Sequence, residues 1–248
     1  MTSNKKQSRI KSVNMALNII QYLHENPSST LRRIADSLNT STSTAHRHLN
    51  TLHEQGYVVM ENNTYRLSLK FLTYGGKVRE ELSAHEMIER KVYQLGNKTA
   101  ERTQFLVEEH GERVYAYTYA GQDAVKTDAA IGKRGPLHVS AAGKAILAEL
   151  PSQRIDEILS ESLSVRKKED LLDELRTIRE RGYAFNDEES IPGLRAVGVP
   201  VMRPDKSVLG AISVSGPAER LRGEYFREEL PSLLLGTVNE IELNLKYS

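Results

Sequence analysis

Apolar positions recur at helical spacing early in the chain. Leu31, Ile34, Ala35 and Leu38 fall at offsets 0, 3, 4 and 7 behind Thr30, a good N-cap residue. A polar break at Asn39-Thr40-Ser41 precedes a second helix that runs on to Gly56 and turns Ala45, Leu49 and Leu52 inward. At about 100° per residue its other face carries Ser43, His46, Arg47 and Asn50, all able to bond base edges or phosphates. Gly56 suits the left-handed position that ends a helix. The period then changes to two over residues 57–61 and 64–69, with Tyr65, Leu67 and Leu69 alternating against Arg66 and Ser68. Asn62-Asn63 between them tolerates the positive φ of a tight hairpin turn. One helix to cross the backbone, one for the major groove and a small wing form a DNA-binding layout.

The flanking pattern extends this picture. An earlier helix opens at Ser12, carries Val13, Leu17, Ile20 and Leu23 on one face, and ends at Asn26-Pro27. Residues 71–82 read as a helix with Phe71, Tyr74, Val78 and Leu82 on one side, a face suited to packing against its copy in a second chain. Gly75-Gly76 in its middle weakens it or marks close approach by another backbone. Ser83-Ala84-His85-Glu86 is spaced as a capping box for a helix with Ile88, Val92 and Leu95 inward. The domain boundary is placed between these two helices.

From residue 103 the period is two. Strands are expected at 104–109, 114–120 and 124–131, then a loop at 132–138 and a helix over 140–150. Helices around 154–159 and through Leu171, Leu172, Leu175 and Ile178 follow, with strands at 183–186, 194–202 and 208–215. An amphipathic helix with Phe226, Leu230, Leu233, Leu234, Val238 and Ile241 comes last. The expected class is α+β, a mainly antiparallel sheet covered by helices. Residues 1–67 form the DNA-binding domain, 68–83 a linker helix, and 84–248 a second domain.

The net charge of +1 hides an asymmetry. Residues 1–67 hold eight Lys/Arg against four acids, a balance of +4, and the rest carries −3. A basic small domain joined to a slightly acidic larger one confines phosphate attraction to one end. Residues 1–11 are basic and polar, either an arm following a phosphate backbone or a tail without a role. They lack the apolar core of a signal peptide, and no apolar run approaches a membrane span, so a cytoplasmic protein with no membrane partner is expected. The absence of cysteine excludes disulfides, thiolate metal sites and thiol nucleophiles.

Signs of catalysis are missing. His138-Val-Ser140-Ala-Ala-Gly143-Lys144-Ala145 lacks the upstream glycine spacing of a phosphate loop and has Ala145 where magnesium needs a hydroxyl. No metalloprotease, nucleophile-elbow or dinucleotide motif occurs, so an enzyme, a cofactor and a catalytic residue are not expected. Asp187-Glu188-Glu189 reads as a solvated loop, with metal ligation alongside His138 the alternative.

A binding pocket fits better. The helix start at Ser140 directs backbone N–H groups toward an anion, and the preceding loop, with Gly132, Gly135 and Pro136, can bring backbone close to a ligand. Ser213 and Ser215 share one face of an apolar strand, where either neighbouring backbone or a ligand must satisfy them.

Taken in order, these motifs resemble the IclR family of transcriptional regulators over nearly the full length. The resemblance is carried by Ser43-Thr44-Ala45-His46-Arg47, Thr51-Leu52 and Gly56-Tyr57-Val58, and then by the run from His138 to Ala148. It continues in Arg181-Gly-Tyr-Ala-Phe-Asn-Asp-Glu-Glu189 and Ala211-Ile-Ser-Val-Ser-Gly-Pro217. It implies a winged helix-turn-helix, a linker helix and a GAF-like effector domain. It also implies homodimers or dimers of dimers on palindromic double-stranded operators, responding to small metabolites, commonly organic or aromatic acids.

Ser41-Thr42 stand where family members often have Pro-Lys, while Asn186 and Ala196 stand where family pockets often carry an acid and a cysteine. The expected DNA-contacting set is Ser43, Thr44, His46, Arg47 and Asn50, with Arg32, Arg33, Asn63 and Arg66 on the backbone. The expected effector set is Gly132, Pro136, His138, Ser140, Ala141, Asn186, Ala196, Ser213 and Ser215. A DNA-binding regulator without a small effector, gated by a protein partner, is the alternative.

Overall fold

The computed structural model describes residues 10–160 and 165–247. The basic arm read over residues 1–11 lies outside them except for Ile10 and Lys11. The chain divides into two compact units, Met1–Val78 and Arg79–Ser248.

In the first unit α1 (Lys11–Glu25), α2 (Leu31–Ser37) and α3 (Thr42–Glu54) precede the hairpin β1 (Val58–Glu61) and β2 (Thr64–Leu67). Ile19, Leu23, Ile34, Leu49, Val58 and Tyr65 form its core. The apolar stripe of α1 differs from expectation. Ile19 and Leu23 are buried, whereas Val13 and Leu17 are 52% and 56% exposed. Two stripes compete in this helix, and packing on α3 and β2 selects the one through Ile19. Its N-cap is Ile10 without a side-chain bond, so Ser12 does not cap it.

The next helix, α4 (Lys70–Glu80), runs without a break through Gly75-Gly76, around which there is open space. None of its residues is buried. Its predicted apolar face begins on Tyr57, whose ring centre lies 5.6 Å from Phe71 and 6.0 Å from Tyr74. Leu69, once expected on the strand, is exposed just before α4.

The second unit is built on a six-stranded antiparallel sheet, ordered β5-β4-β3-β8-β7-β6. Its strands are β3 (Arg102–Glu109), β4 (Glu112–Ala120), β5 (Arg134–Pro136), β6 (Ala184–Asp187), β7 (Leu194–Met202) and β8 (Val208–Pro217). One face packs on α5 (His85–Thr99) and α9 (Leu230–Tyr247) through Phe105, Ile212, Val214 and Leu234. The other face lies under α6 (Ala141–Glu149), α7 (Ser152–Leu159) and α8 (Val165–Arg181).

Two expectations fail in this unit. The capping box at Ser83 does not form: α5 begins one residue later, after Ala84 in a left-handed conformation at φ 56° with no side-chain cap. Residues 124–131 are not a strand, because β4 already bonds its neighbours on that edge. Gly132 N–H donates to the Tyr115 carbonyl, Tyr115 N–H to the Lys133 carbonyl, and β5 pairs beside them.

At Gly198 on β7 a Cβ would stand 2.5 Å from the Ala142 nitrogen. Its absence lets the first turn of α6 lie directly on the sheet, which places that turn at the wall of the cavity described next.

Candidate functional site

The DNA-reading surface follows from where the two short helices start. Thr30 caps α2 by accepting Arg33 N–H at 3.4 Å, and Ser41 caps α3 by accepting Thr44 N–H at 3.1 Å. Ser41 thus satisfies one of the open donors of α3. Its hydroxyl also donates to Thr44 Oγ1 at 2.9 Å, so Thr44 faces the cap and is half-buried.

Ala45, Leu49 and Leu52 turn α3 into the core, leaving Ser43, His46, Arg47 and Asn50 exposed on one face. His46 and Asn50, one turn apart, approach to 3.5 Å. Among the described residues Arg47 makes no ion pair. Arg32 and Arg33 project from α2, with Arg32 3.8 Å from Asp36. Asn62 and Asn63, at φ 49° and 62°, make the two-residue turn of the wing, where Arg66 meets Glu61 at 2.8 Å. All nine expected DNA-contacting residues lie in the first unit, with Arg66 held by an acid of its own wing.

On the α6 side of the larger sheet lies a cavity of about 630 Å3. His138, Ser140, Ala141, Asn186, Ala196, Ser213 and Ser215 line it, and Gly132 and Pro136 do not. Three registers explain the convergence. Ser215 pairs with Ala196 on β7, Ala196 pairs with Asn186 on β6, and Ser213 faces Gln104 on β3, so residues far apart in the chain stand in adjacent rows. The Ser213 hydroxyl donates to Gln104 Oε1 at 3.2 Å. The Asn186 side-chain amide donates to the Val139 carbonyl at 3.0 Å. Ser140 caps α6 by accepting Gly143 N–H at 3.1 Å.

Sequence reasoning missed Gln104, Arg113, Tyr115 and the Thr127–Ala129 stretch, which also line the cavity. Gln104 carried a signal, a polar residue on an expected strand immediately before the apolar run Phe105-Leu106-Val107. Arg113 carried none, since its strand was read as starting one residue later.

Electrostatics sort the cavity groups. Burial, and then the charge of Arg113, push the His138 imidazole below its usual pKa. The Lys133 ammonium holds the Asp128 carboxyl below the usual carboxylate range. The acidic run is fully occupied: Asp187 by Arg195 and Arg227, Glu188 by Arg195, and Glu189 by the buried Lys144. Among the described residues no group of three or more His, Asp or Glu is placed to hold a metal ion. No described helix is long and apolar enough to cross a membrane.

Comparison with known proteins places these two sites in a family. Residues 12–61 match the IclR helix-turn-helix domain, and residues 77–243 match the bacterial transcriptional regulator IclR C-terminal domain. A probable HTH-type transcriptional regulator, ArcR of Halobacterium salinarum, is 31% identical over 98% of this chain and 97% of its own length. The HTH-type transcriptional regulator XynR of Escherichia coli is 30% identical over 89% of this chain and 93% of its own.

Among solved structures, Thermotoga maritima IclR superposes with a TM-score of 0.79 at 26% identity, covering 96% of this chain and 99% of that one. An IclR homolog of Microbacterium hydrocarbonoxydans, complexed with 4-hydroxybenzoate, shares the fold with a TM-score of 0.83 at 21% identity, covering 96% and 100%. The matched families and relatives are transcriptional regulators rather than enzymes. With a DNA-binding helix-turn-helix domain followed by the family's C-terminal effector domain, this chain belongs to the IclR family of transcriptional regulators.

Proposed function

We propose that the protein binds a small organic or aromatic acid in the cavity of its second unit and thereby changes how a dimer engages a palindromic operator. The observation that carries this reading is the cavity itself, lined by cations and by hydroxyl and amide groups from four strands and the start of α6. The bound 4-hydroxybenzoate of the Microbacterium hydrocarbonoxydans homolog supports an acid of that size. The sensor is a GAF-like domain of a cytoplasmic regulator.

In the first unit Ser43, His46, Arg47 and Asn50 enter the major groove, while Arg32, Arg33 and the wing hold phosphates. The exposed Leu72 and Val78 of α4 support pairing with a second chain. Two reading heads then meet half-sites about 34 Å apart, and the effector acts by favouring one arrangement of them. Light scattering checks the pairing, and a mass of one chain contradicts it.

Thermal unfolding against a panel of organic, aromatic and sugar acids tests the sensor. At a hundred times its dissociation constant a ligand adds about 2.7 kcal/mol, a rise of roughly 5–10 °C. That rise should vanish in Ser215→Leu, which fills the cavity floor. Silence across the panel rejects the acid sensor and leaves gating by a protein partner.

A further inference from the structure

We propose that Arg113 receives the carboxylate of the effector, and that the effector is a small hydroxylated carboxylic acid. This rests on the reading of the cavity as the effector site. The two carboxylates that line the cavity are already occupied, Asp128 by Lys133 and Glu189 by Lys144. Arg113 lines the same cavity and its charge reaches Asp128, yet among the described residues no carboxylate lies within ion-pair distance of it.

Its guanidinium is nevertheless held in place. Nη1 donates to the Pro136 carbonyl at 2.5 Å, and Cζ stands 5.8 Å from the centre of the Tyr115 ring. The group lies over Gly135, its cross-strand partner on β5, where a Cβ would stand 3.2 Å from Nη2 and 3.3 Å from Cζ. Nε is buried out of reach of a ligand, whereas Nη2 makes no hydrogen bond among the described residues and is not among the buried atoms. A cation held in one orientation with Nη2 unspent is prepared for an anion at little ordering cost.

The first turn of α6 is the weaker rival for the carboxylate. Ser140 has already taken the Gly143 N–H at 3.1 Å. Burial, and then the charge of Arg113, lower the pKa of the neighbouring His138 ring, which disfavours a second positive charge there.

The deeper end of the cavity defines the other end of the ligand. Among the described residues the Gln104 amide nitrogen and the Ser215 hydroxyl make no hydrogen bond, although Gln104 is 7% exposed and Ser215 7%. Such nearly buried donors call for hydroxyl or carbonyl oxygens from a ligand. Leu106 and Tyr115 lie between the two ends, and Ala196 stands beside Ser215; all three suit its carbon body.

Isothermal titration of the full-length protein tests the assignment with 4-hydroxybenzoate and gluconate, and with 4-hydroxybenzamide as an uncharged counterpart. At least one acid should bind the wild-type protein, and the amide should bind about 10- to 100-fold more weakly than its acid. Arg113→Met should bring the acid down to the level of the amide and leave amide binding unchanged. Gly135→Val keeps the charge but displaces the guanidinium, so it should weaken acid binding even if Arg113→Met folds poorly.

Equal affinity of the wild-type protein for acid and amide overturns the proposal, as does undiminished acid binding in both variants. Either result leaves the effector cavity standing. Binding of other acids but neither hydroxy acid overturns the hydroxy-acid assignment alone. Silence to every acid overturns the effector reading as well.

Discussion

Asn186 donates its side-chain amide to the carbonyl oxygen of Val139 at 3.0 Å, tying the edge strand β6 to the turn that opens α6. The bond closes one wall of the cavity with a neutral group. Asn186→Asp removes the donor and sets a carboxylate against a carbonyl. It should destabilise the protein by about 1–3 kcal/mol, read as a lower urea midpoint at neutral pH. It should also weaken binding of any acid that raises the unfolding temperature of the wild-type protein. An unchanged midpoint would show that the bond contributes nothing to the wall.

Lys144 lies beneath the cavity with its side chain 1% exposed, 2.6 Å from both Glu174 and Glu189. The ammonium joins α6 to α8 and to the loop after β6. Both glutamates reach water, so they are not stranded when the lysine is lost, and the penalty falls below that of a fully buried pair. Lys144→Met should cost about 1–3 kcal/mol, measured by denaturant unfolding. The triple substitution with Glu174→Gln and Glu189→Gln should recover part of it. No recovery would assign the loss to packing.

His138 has a folded pKa depressed by burial and then by Arg113. Between that value and about 6.5 the unfolded chain binds a proton that the folded protein does not. Stability from this residue is therefore fully present above 6.5 and falls as pH is lowered toward the depressed pKa. His138→Gln should flatten that part of the stability profile between pH 7.5 and 5.5. Identical slopes for the two proteins would contradict the assignment.

Arg47 and Arg66 should separate sequence reading from phosphate attraction. Arg47→Ala, on the exposed face of α3, should cost about 1–3 kcal/mol of operator affinity if it reads a base edge, and should relax preference at that base. Arg66→Ala should weaken all DNA alike and reduce the salt slope by about 1. It should barely alter stability, because its ion pair with Glu61 is largely exposed. Gel shifts at two salt concentrations distinguish these outcomes, and a uniform loss for Arg47→Ala would make it a phosphate contact.

Local order was legible where short-range spacing decides structure. Thr30, the polar break before α3, the buried Ala45, Leu49 and Leu52, and the Asn62-Asn63 turn all follow from contacts within a few residues, and the structure has them as read. The same held for Ser140 at the start of α6 and for the strands β7 and β8.

Where two local solutions compete, periodicity alone could not choose. The face of α1 was settled by docking on α3 and β2, the start of α5 by the left-handed Ala84, and the fate of residues 124–131 by the pairing of residues 132–136 with the edge of β4. The sequence by itself determined the helix-turn-helix, the wing, the antiparallel α+β class and the polar residues that a pocket would need, because each is written at spacings of two to four residues. Only the tertiary structure decided that Arg113 rests on Gly135 and that Ser215, Ala196 and Asn186 stand in one row. Those neighbours are set by strand register, which hydrogen bonding across the sheet fixes between segments far apart along the chain.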